Sequence, residues 1–182
     1  VVDPDVDRLC FVDHEGNPVG EEYTLVLAAK HVLDKQGKGI TCSNLSSTKA
    51  LKDITESSGG QYFSSAVGEI NVVNKMKEVG AVLGGEGNGG IILSESHYGR
   101  DSLVGAAMFL NRMAQDNRKV SKIFQSIPQF IMVKDKIELV SIDPQIALDK
   151  IEAAYPDVNS DKTDGLKMIW DNAWIHIRKS IS

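Results

Sequence analysis

The sequence contains only two cysteines, no excess of basic residues and no long hydrophobic run. Cys10 and Cys42 do not form a C-x-x-C motif, so we expect buried free thiols in a reducing cytosol. No run of about 18 apolar residues exists, which argues against a membrane span, and no signal peptide is evident. The formal net charge of −5 argues against nucleic acid or an anionic membrane as a partner. We therefore expect a cytoplasmic protein that binds neither.

The composition is that of a soluble globular protein, with 42% hydrophobic and 25% charged residues among 182. This length allows one ordinary domain or two small ones. The chain opens with Val1 and Val2 directly before an acidic motif, and a strand of two residues is too short to anchor a loop. We therefore expect the sequence to be a fragment of a longer protein.

Hydrophobic periodicity predicts strands that alternate with helices in the first part of the chain. A short strand is predicted at 9–12, followed by a turn at 14–17. Further predicted strands cover 40–44, 61–63, 81–83 and 91–93. Helices are predicted over 21–35, from a cap at Ser46 or Ser47 to about 57, from just after Gly68 to about 78, and from a cap at Asp101 to about 115. Strands that alternate with helices indicate an α/β layer.

The pattern changes near residue 127. A long strand is predicted at 130–140, where charged and apolar residues alternate. A helix is predicted over 143–154, and the segments 166–170 and 173–177 predict a hairpin. We expect a small α+β unit here, and its limited core indicates that it is truncated.

Three aspartates alternate with other residues in the motif D-P-D-V-D-R near the start of the chain. Asp3, Asp5 and Asp7 would repel one another unless a cation lay among them, and hard oxygen ligands suit Mg²⁺ or Ca²⁺. An EF-hand loop is excluded, because its sixth and twelfth positions would hold Arg8 and His14. A haloacid-dehalogenase-type phosphatase remains an alternative, although its usual downstream acidic pair is missing. Two other interpretations of the motif also remain open. One is a metal loop with a phosphate-facing arginine, and the other is a solvated acidic turn.

A glycine-rich run, G-G-E-G-N-G-G at 84–90, lies between two predicted strands. Glycine lets the backbone approach a ligand closely, and Glu86 and Asn88 would be the only side chains aimed outward. A carboxylate accepts hydroxyl hydrogen bonds and an amide both donates and accepts, which suits a sugar better than a phosphate. The run is neither a Walker A nor a dinucleotide-binding motif, because no G-K-S/T follows and a strand comes next. A flexible hairpin tip is the alternative.

Together the two motifs resemble the α-D-phosphohexomutase family of phosphoglucomutases, phosphomannomutases and phosphoglucosamine mutases. D-P-D-V-D-R resembles that family's Mg²⁺ loop, D-G-D-x-D-R, and G-E-G-N-G-G resembles its sugar loop, usually G-E-x-S-G-H. Shorter matches extend the resemblance through 67–69, 98–101 and 164–167. Asn88 and Gly90 depart from the usual Ser and His, so glucose, mannose and glucosamine phosphates all stay open as substrates.

The resemblance implies an α/β domain with a mixed sheet and flanking helices, followed by a small, truncated α+β domain. Residues 1–17 would be the end of domain 2, 18–126 domain 3, and 127–182 the first part of domain 4. The remaining domains of the same enzyme, including the phosphoserine loop, would lie outside this sequence. The isolated chain would then be inactive.

The resemblance also implies an isomerase that interconverts hexose 1-phosphate and hexose 6-phosphate through a phosphoserine and a bisphosphorylated sugar. Mg²⁺ would be bound by Asp3, Asp5 and Asp7. Arg8 would have the catalytic role of positioning the phosphoserine, because its guanidinium matches phosphate oxygens in pairs.

The implied substrate contacts are hydroxyl contacts to Glu86 and Asn88, and phosphate contacts to Arg100, Arg178 and Ser180. No residue matches the family's general acid or base clearly. The alternatives in other functional classes are the dehalogenase-type phosphatase and a non-catalytic module that binds a sugar phosphate or a metal.

Overall fold

The computed structural model describes residues 1–179, which divide into two compact units. The first unit is Val1–Ile131 and the second begins at Met132. The first unit contains the helices α1 (Glu21–Gln36), α2 (Ala50–Ser57), α3 (Glu69–Val79), α4 (Ser102–Asp116) and α5 (Val120–Phe124). Its strands are β1 (Ile40–Asn44), β2 (Gln61–Ser65), β3 (Leu83–Gly85) and β4 (Ile91–Leu93). The second unit contains α6 (Pro144–Ala154), β5 (Asn159–Asp161), β6 (Leu166–Ile169) and β7 (Trp174–Ile177).

The first unit is built on a four-stranded mixed sheet in the order β2-β1-β3-β4. β1 runs parallel to β2 and β3, whereas β3 and β4 form an antiparallel hairpin. At the end of β1, Asn44 pairs with Ser65 of β2, and Ser43 pairs with Gly85 of β3. The carboxyl ends of three parallel strands therefore meet at one edge, which is where open α/β sheets bind ligands. The predicted α/β fold with a mixed sheet is confirmed.

Helices cover both faces of this sheet, and successive strand residues point to opposite faces. Leu83 and Ile91 belong to a hydrophobic cluster with residues of α1, α2 and α4. Ile92 belongs to a second cluster, which contains Met76 of α3. Eleven of the 16 residues of α1 are buried, because α2, α4 and the sheet all pack against it. No helix in the described part of the chain is long and apolar enough to cross a membrane.

The predicted helices of the first unit form, and one begins later than expected. Asp101 starts α4 as predicted, since its carboxylate accepts hydrogen bonds from the N–H groups of the next turn. The helix for which Ser46 or Ser47 was the predicted cap begins instead at Ala50. Before it, the Asn44 side-chain oxygen accepts hydrogen bonds from the Ser46 N–H at 3.1 Å and the Ser47 hydroxyl at 2.9 Å. This local turn competes with helix formation at both serines.

The two cysteines differ in their surroundings. Cys42 is fully buried, and burial raises the pKa of its thiol to about 12. Cys10 is only half-buried. Both thiols are free, and the prediction of a buried thiol is confirmed for Cys42 alone.

The first twenty residues form a looped segment, and the strand predicted at 9–12 was wrong. Among the described residues, this segment makes only isolated bridges between Val2 and Leu9, Val12 and Pro18, and Arg8 and Gly90. Turns at 3–6 and 13–17 leave too few consecutive residues for a ladder. The predicted end of a preceding domain, residues 1–17, lies inside the first compact unit, and its assignment to a domain 2 stays a prediction.

The second unit combines α6 with an antiparallel sheet in the order β5-β6-β7. The predicted hairpin is confirmed, since β6 pairs with β7 from Leu166 opposite Ile177 to Ile169 opposite Trp174. The short strand β5 was not predicted, because Asn-Ser-Asp lacks the apolar alternation of a strand.

The strand predicted over 130–140 was also wrong. Within residues 1–179, no residue of this segment pairs with another strand. Its apolar side chains at Ile131, Val133, Ile137 and Val140 are 80–94% exposed. Alternating residue types supply the side-chain pattern of a strand, but a strand also needs a neighbour for its backbone groups.

Candidate functional site

The three aspartates of the D-P-D-V-D-R motif lie together on one loop. One carboxylate oxygen of each of Asp3, Asp5 and Asp7 lies within 4.8 Å of the others. The loop turns at Val6, whose backbone N–H donates to the Asp3 carbonyl at 3.1 Å and whose φ is 60°. A β-branched residue rarely adopts this left-handed conformation, and such strain is concentrated at functional sites.

Three hydrogen bonds between the loop and other parts of the first unit hold it in this conformation. The Thr24 hydroxyl of α1 donates to the Leu9 carbonyl at 2.7 Å. The Ser102 hydroxyl, at the start of α4, donates to the Val6 carbonyl at 2.7 Å. The Leu9 N–H donates to the Gly89 carbonyl at 3.0 Å. The structure therefore brings together the aspartate loop and the glycine-rich loop, which are far apart in the sequence.

Arg8 pairs with the first aspartate of the loop. Its Nε donates to Asp3 Oδ2 at 2.5 Å, and its backbone N–H donates to Oδ1 at 3.2 Å. Partial burial raises the pKa of Asp3, but the hydrogen bonds from Arg8 outweigh it and lower this pKa to about 2. The Arg8 side chain is 46% exposed, so part of its guanidinium is open to a phosphate.

Asp7 presents one carboxylate oxygen that accepts no hydrogen bond. Its Oδ2 pairs with Arg100, whereas its Oδ1 is buried without a donor among the described residues. Arg8 Nε lies 3.6 Å from this oxygen, which is too far for a hydrogen bond. Burial raises the pKa of Asp7, and the charges of Asp5 and Asp3 add to the shift, although Arg100 opposes it. A buried oxygen without a donor, beside two further carboxylates, fits a hard divalent cation such as Mg²⁺.

The glycine-rich loop between β3 and β4 is largely buried, which argues against the alternative of a flexible hairpin tip. At Gly89, where φ is +88°, an added Cβ would lie 2.4 Å from the Leu9 carbonyl oxygen. At Gly87, an added Cβ would lie 2.2 Å from a carboxylate oxygen of Glu22. Glycine at these positions therefore allows the close approach of other parts of the protein.

Glu86 is only 6% exposed, which contradicts the expectation that its side chain is aimed outward. Its Oε1 accepts hydrogen bonds from Asn44 Nδ2 at 2.8 Å and the Gly68 N–H at 3.0 Å. Its Oε2 accepts longer ones from Asn88 Nδ2 at 3.4 Å and Arg100 Nη1 at 3.5 Å. Substrate binding by Glu86 and Asn88 stays a prediction.

Arg100 connects the aspartate loop with the glycine-rich loop. Its backbone N–H and Nε donate to the two oxygens of Glu69 at 3.0 and 3.1 Å. Its terminal nitrogens reach Asp7 and Glu86. Three carboxylates therefore share one guanidinium, and the side chain of Arg100 is 20% exposed. The predicted phosphate contact of Arg100 stays a prediction, but the structure gives this arginine a second role in joining the loops.

Two predicted substrate residues fall in the C-terminal part of the chain. Arg178 follows β7 and is half-buried, with Nη1 at 4.0 Å from Asp164 Oδ2. Ser180 lies outside the described residues. Their contacts with a substrate phosphate stay predictions.

Asn44 is the residue of this site that sequence reasoning missed. It is 5% exposed and lies at the carboxyl end of β1, one of the two inner strands of the sheet. A polar residue at the end of a predicted strand in an α/β sheet is the signal that could have identified it, because ligands bind at that edge.

Comparison with known proteins identifies relatives of this chain. Residues 20–130 match the family model of "Phosphoglucomutase/phosphomannomutase, alpha/beta/alpha domain III". The chain is 29% identical to the phosphoglucomutase/phosphomannomutase of Thermococcus kodakarensis, over 98% of this chain and 39% of that protein. It is 30% identical to the phosphoglucosamine mutase of Pasteurella multocida, over 86% of this chain and 35% of that protein. The chain therefore spans less than half the length of the relatives it matches.

A solved structure shares the fold. The phosphoglucomutase/phosphomannomutase family protein from Burkholderia thailandensis superposes with a TM-score of 0.77 at 24% sequence identity. The match covers 99% of this chain and 39% of that chain. At this level of identity the likeness establishes the fold.

Proposed function

Because the chain belongs to the phosphoglucomutase/phosphomannomutase family, we propose that it is the part of a hexose-phosphate mutase that carries the cation loop and the sugar loop. The complete enzyme would interconvert a hexose 1-phosphate and a hexose 6-phosphate. It would do so by phosphoryl transfer through a serine phosphate, which another domain of the same protein supplies. The protein would then be an isomerase of carbohydrate metabolism in the cytoplasm.

One observation carries this proposal, namely the direct hydrogen bonding of the aspartate loop to the glycine-rich loop. The Leu9 N–H donates to the Gly89 carbonyl at 3.0 Å, and Arg8 forms an isolated bridge with Gly90. Carboxylates that suit a cation therefore lie close to a carboxylate and an amide that suit sugar hydroxyls. Phosphoryl transfer to a sugar needs this proximity, because catalysis depends on holding the reacting groups in one geometry.

The aspartate loop supplies the cation and phosphate side of the site. Asp3, Asp5 and Asp7 would hold Mg²⁺, and the buried Oδ1 of Asp7 is a possible ligand atom that accepts no hydrogen bond from residues 1–179. Bound there, the cation would supply positive charge that offsets the negative charge of a phosphoryl group. Arg8 is held to Asp3 by two hydrogen bonds and would position the serine phosphate with its half-exposed guanidinium.

The glycine-rich loop supplies the sugar side of the site. Glu86 would accept a hydrogen bond from a hydroxyl, and Asn88 would donate or accept one. Such a pair can serve a sugar in either orientation, since it recognises hydroxyls and not the phosphate. Arg178 and Ser180 are the proposed contacts of the substrate phosphate, and Arg100 adds positive charge beside both loops.

The test uses the full-length protein with three substrates, the 1-phosphates of glucose, mannose and glucosamine. We expect Mg²⁺-dependent formation of at least one 6-phosphate. Asp7→Asn keeps the size of the side chain but removes a charged ligand, so the Mg²⁺ concentration for half-maximal rate should rise by at least about 10-fold, the lower end of what loss of an outer-shell partner costs. Asp157→Asn, at an exposed position of the second unit, is the control and should leave it unchanged. Absence of turnover with all three sugars would overturn the proposal.

The two alternative functions predict different results in the same assay. A dehalogenase-type phosphatase would release inorganic phosphate, and the family match over residues 20–130 does not favour it. A non-catalytic module would bind a hexose phosphate without converting it.

A further inference from the structure

The two oxygens of the Glu86 carboxylate are held with different strength. Oε1 accepts two short hydrogen bonds, from Asn44 Nδ2 at 2.8 Å and from the Gly68 N–H at 3.0 Å. The contacts that the described residues make to Oε2 come from Asn88 and Arg100, at 3.4 and 3.5 Å. Because hydrogen bonds weaken as they lengthen, Oε1 is fixed by the protein and Oε2 has capacity for a further donor.

The amide of Asn44 has only one orientation that satisfies its neighbours. Its Oδ1 accepts hydrogen bonds from the Ser46 N–H at 3.1 Å and from the Ser47 hydroxyl at 2.9 Å. A backbone N–H can only donate, so the oxygen must face Ser46 and the nitrogen must face Glu86. Asn44 is 5% exposed and lies on an inner strand of the sheet, and both features hold this orientation.

We infer that Asn44 is a positioning residue for the sugar site. It fixes the rotation of the Glu86 carboxylate, so that Oε2 is the oxygen that accepts a hydrogen bond from a hexose hydroxyl. The inference rests on the proposed function and adds to it a residue outside both sequence motifs.

A purely structural role for Asn44 predicts a different outcome from a positioning role. A structural role would satisfy a buried carboxylate, and its loss would lower stability without changing substrate binding. A positioning role acts on a contact that substrate and transition state share, so its loss should raise KM and leave kcat nearly unchanged. The split between KM and kcat therefore separates the two roles.

The test uses Asn44→Asp in the full-length enzyme. The substituted side chain keeps its size but places a second carboxylate at about the 2.8 Å distance that the amide nitrogen has from Glu86. At neutral pH the two carboxylates repel, and KM for the hexose phosphate should rise about tenfold or more. At lower pH the pair shares a proton and regains the hydrogen bond, so KM should return toward the wild-type value. Recovery at low pH is a readout that a general loss of stability would not produce.

Two further variants complete the experiment. Asn44→Leu has a similar size and no donor, so its KM should be raised at every pH. Ser47→Ala removes a hydrogen bond to Asn44 Oδ1 without touching Glu86, and its KM should stay within about twofold of wild type. Thermal unfolding of each variant shows whether it folds.

A measurement on the wild-type enzyme covers the case in which neither Asn44 variant folds. The side-chain amide protons of Asn44 should exchange slowly with solvent, with and without hexose phosphate, in NMR spectra of protein labelled at asparagine. Fast exchange would overturn the inference. An active wild type whose two Asn44 variants keep a normal KM would also overturn it and leave the proposed function intact. A wild type without mutase activity would overturn both.

Discussion

Replacing Gly89 by alanine tests how closely the glycine-rich loop contacts the aspartate loop. Gly89 has a φ of +88°, and an added Cβ would lie 2.4 Å from the Leu9 carbonyl oxygen and 3.1 Å from the Leu9 nitrogen. Gly16 has nearly the same φ, +87°, but an added Cβ there would meet nothing within 4 Å. Gly16→Ala is therefore a matched control with the same backbone conformation and no collision.

The expected cost separates into a backbone part and a packing part. Alanine in the left-handed region costs about 1–2 kcal/mol, of which the smaller entropy of the unfolded chain offsets about 0.4–1 kcal/mol. Gly16→Ala should therefore lower the free energy of unfolding by about 1 kcal/mol. Gly89→Ala adds about 1–3 kcal/mol for overpacking against Leu9, so we expect a total of about 3 kcal/mol.

Urea denaturation followed by far-UV circular dichroism measures the difference. With a slope of about 2 kcal/mol per molar, the midpoint of Gly89→Ala should lie about 1 M below that of Gly16→Ala. Trp170 and Trp174 both belong to the second unit, so their fluorescence follows that unit separately. Equal midpoints for the two variants would refute the close contact between Gly89 and Leu9.

Two further predictions concern Asp101 and Val6. Asp101→Ala should lower the free energy of unfolding by about 1 kcal/mol, because it removes the cap of α4. Asp101→Asn should keep most of the stabilisation by the cap. Hydrogen bonds from the Val104 N–H and from His97 lower the pKa of Asp101 in the folded protein. The ionised carboxylate therefore stabilises the fold above the ordinary carboxyl pKa, and this stabilisation is lost as pH falls through the lowered pKa. The difference in the free energy of unfolding between wild type and Asp101→Ala should therefore become smaller from about pH 5 to pH 3 in denaturation curves. A difference that stays constant over this range would contradict the prediction. Val6 has a φ of 60° and a residue exposure of 45%, so Val6→Gly removes backbone strain and little packing. The free energy of unfolding should rise by up to about 1 kcal/mol. A clear decrease in this free energy would show that the loop is not strained.

Local structure could be predicted wherever short-range interactions decide it. Asp101 and Asp143 each accept hydrogen bonds from N–H groups two and three residues ahead, so both helix starts are visible in the sequence. The β6–β7 hairpin could be predicted as well, because a short turn joins its two strands and their pairing is also a short-range interaction. The segment 130–140 has the alternation of a strand, but pairing depends on a neighbour that its own residues do not specify.

Most members of the candidate site, although not Asn44, could also be predicted, because their chemistry follows from residue type and spacing. Asp3, Asp5 and Asp7 lie on one turn, and alternation at short range is enough to bring their carboxylates together. The sequence by itself thus determined the α/β class, most helices and the grouping of the three aspartates on one loop.

Only the tertiary structure decided the partners of those polar groups that join distant parts of the chain. Glu86 was expected to point outward, but Asn44 and Gly68, which are 42 and 18 residues away in the chain, donate hydrogen bonds that keep it buried. Arg100 pairs with Glu69 and Asp7 although neither is its neighbour in sequence. Periodicity and motifs express short-range preferences and side-chain chemistry. Contacts between distant segments depend on how whole elements pack, and the order of residues along the chain does not display that packing.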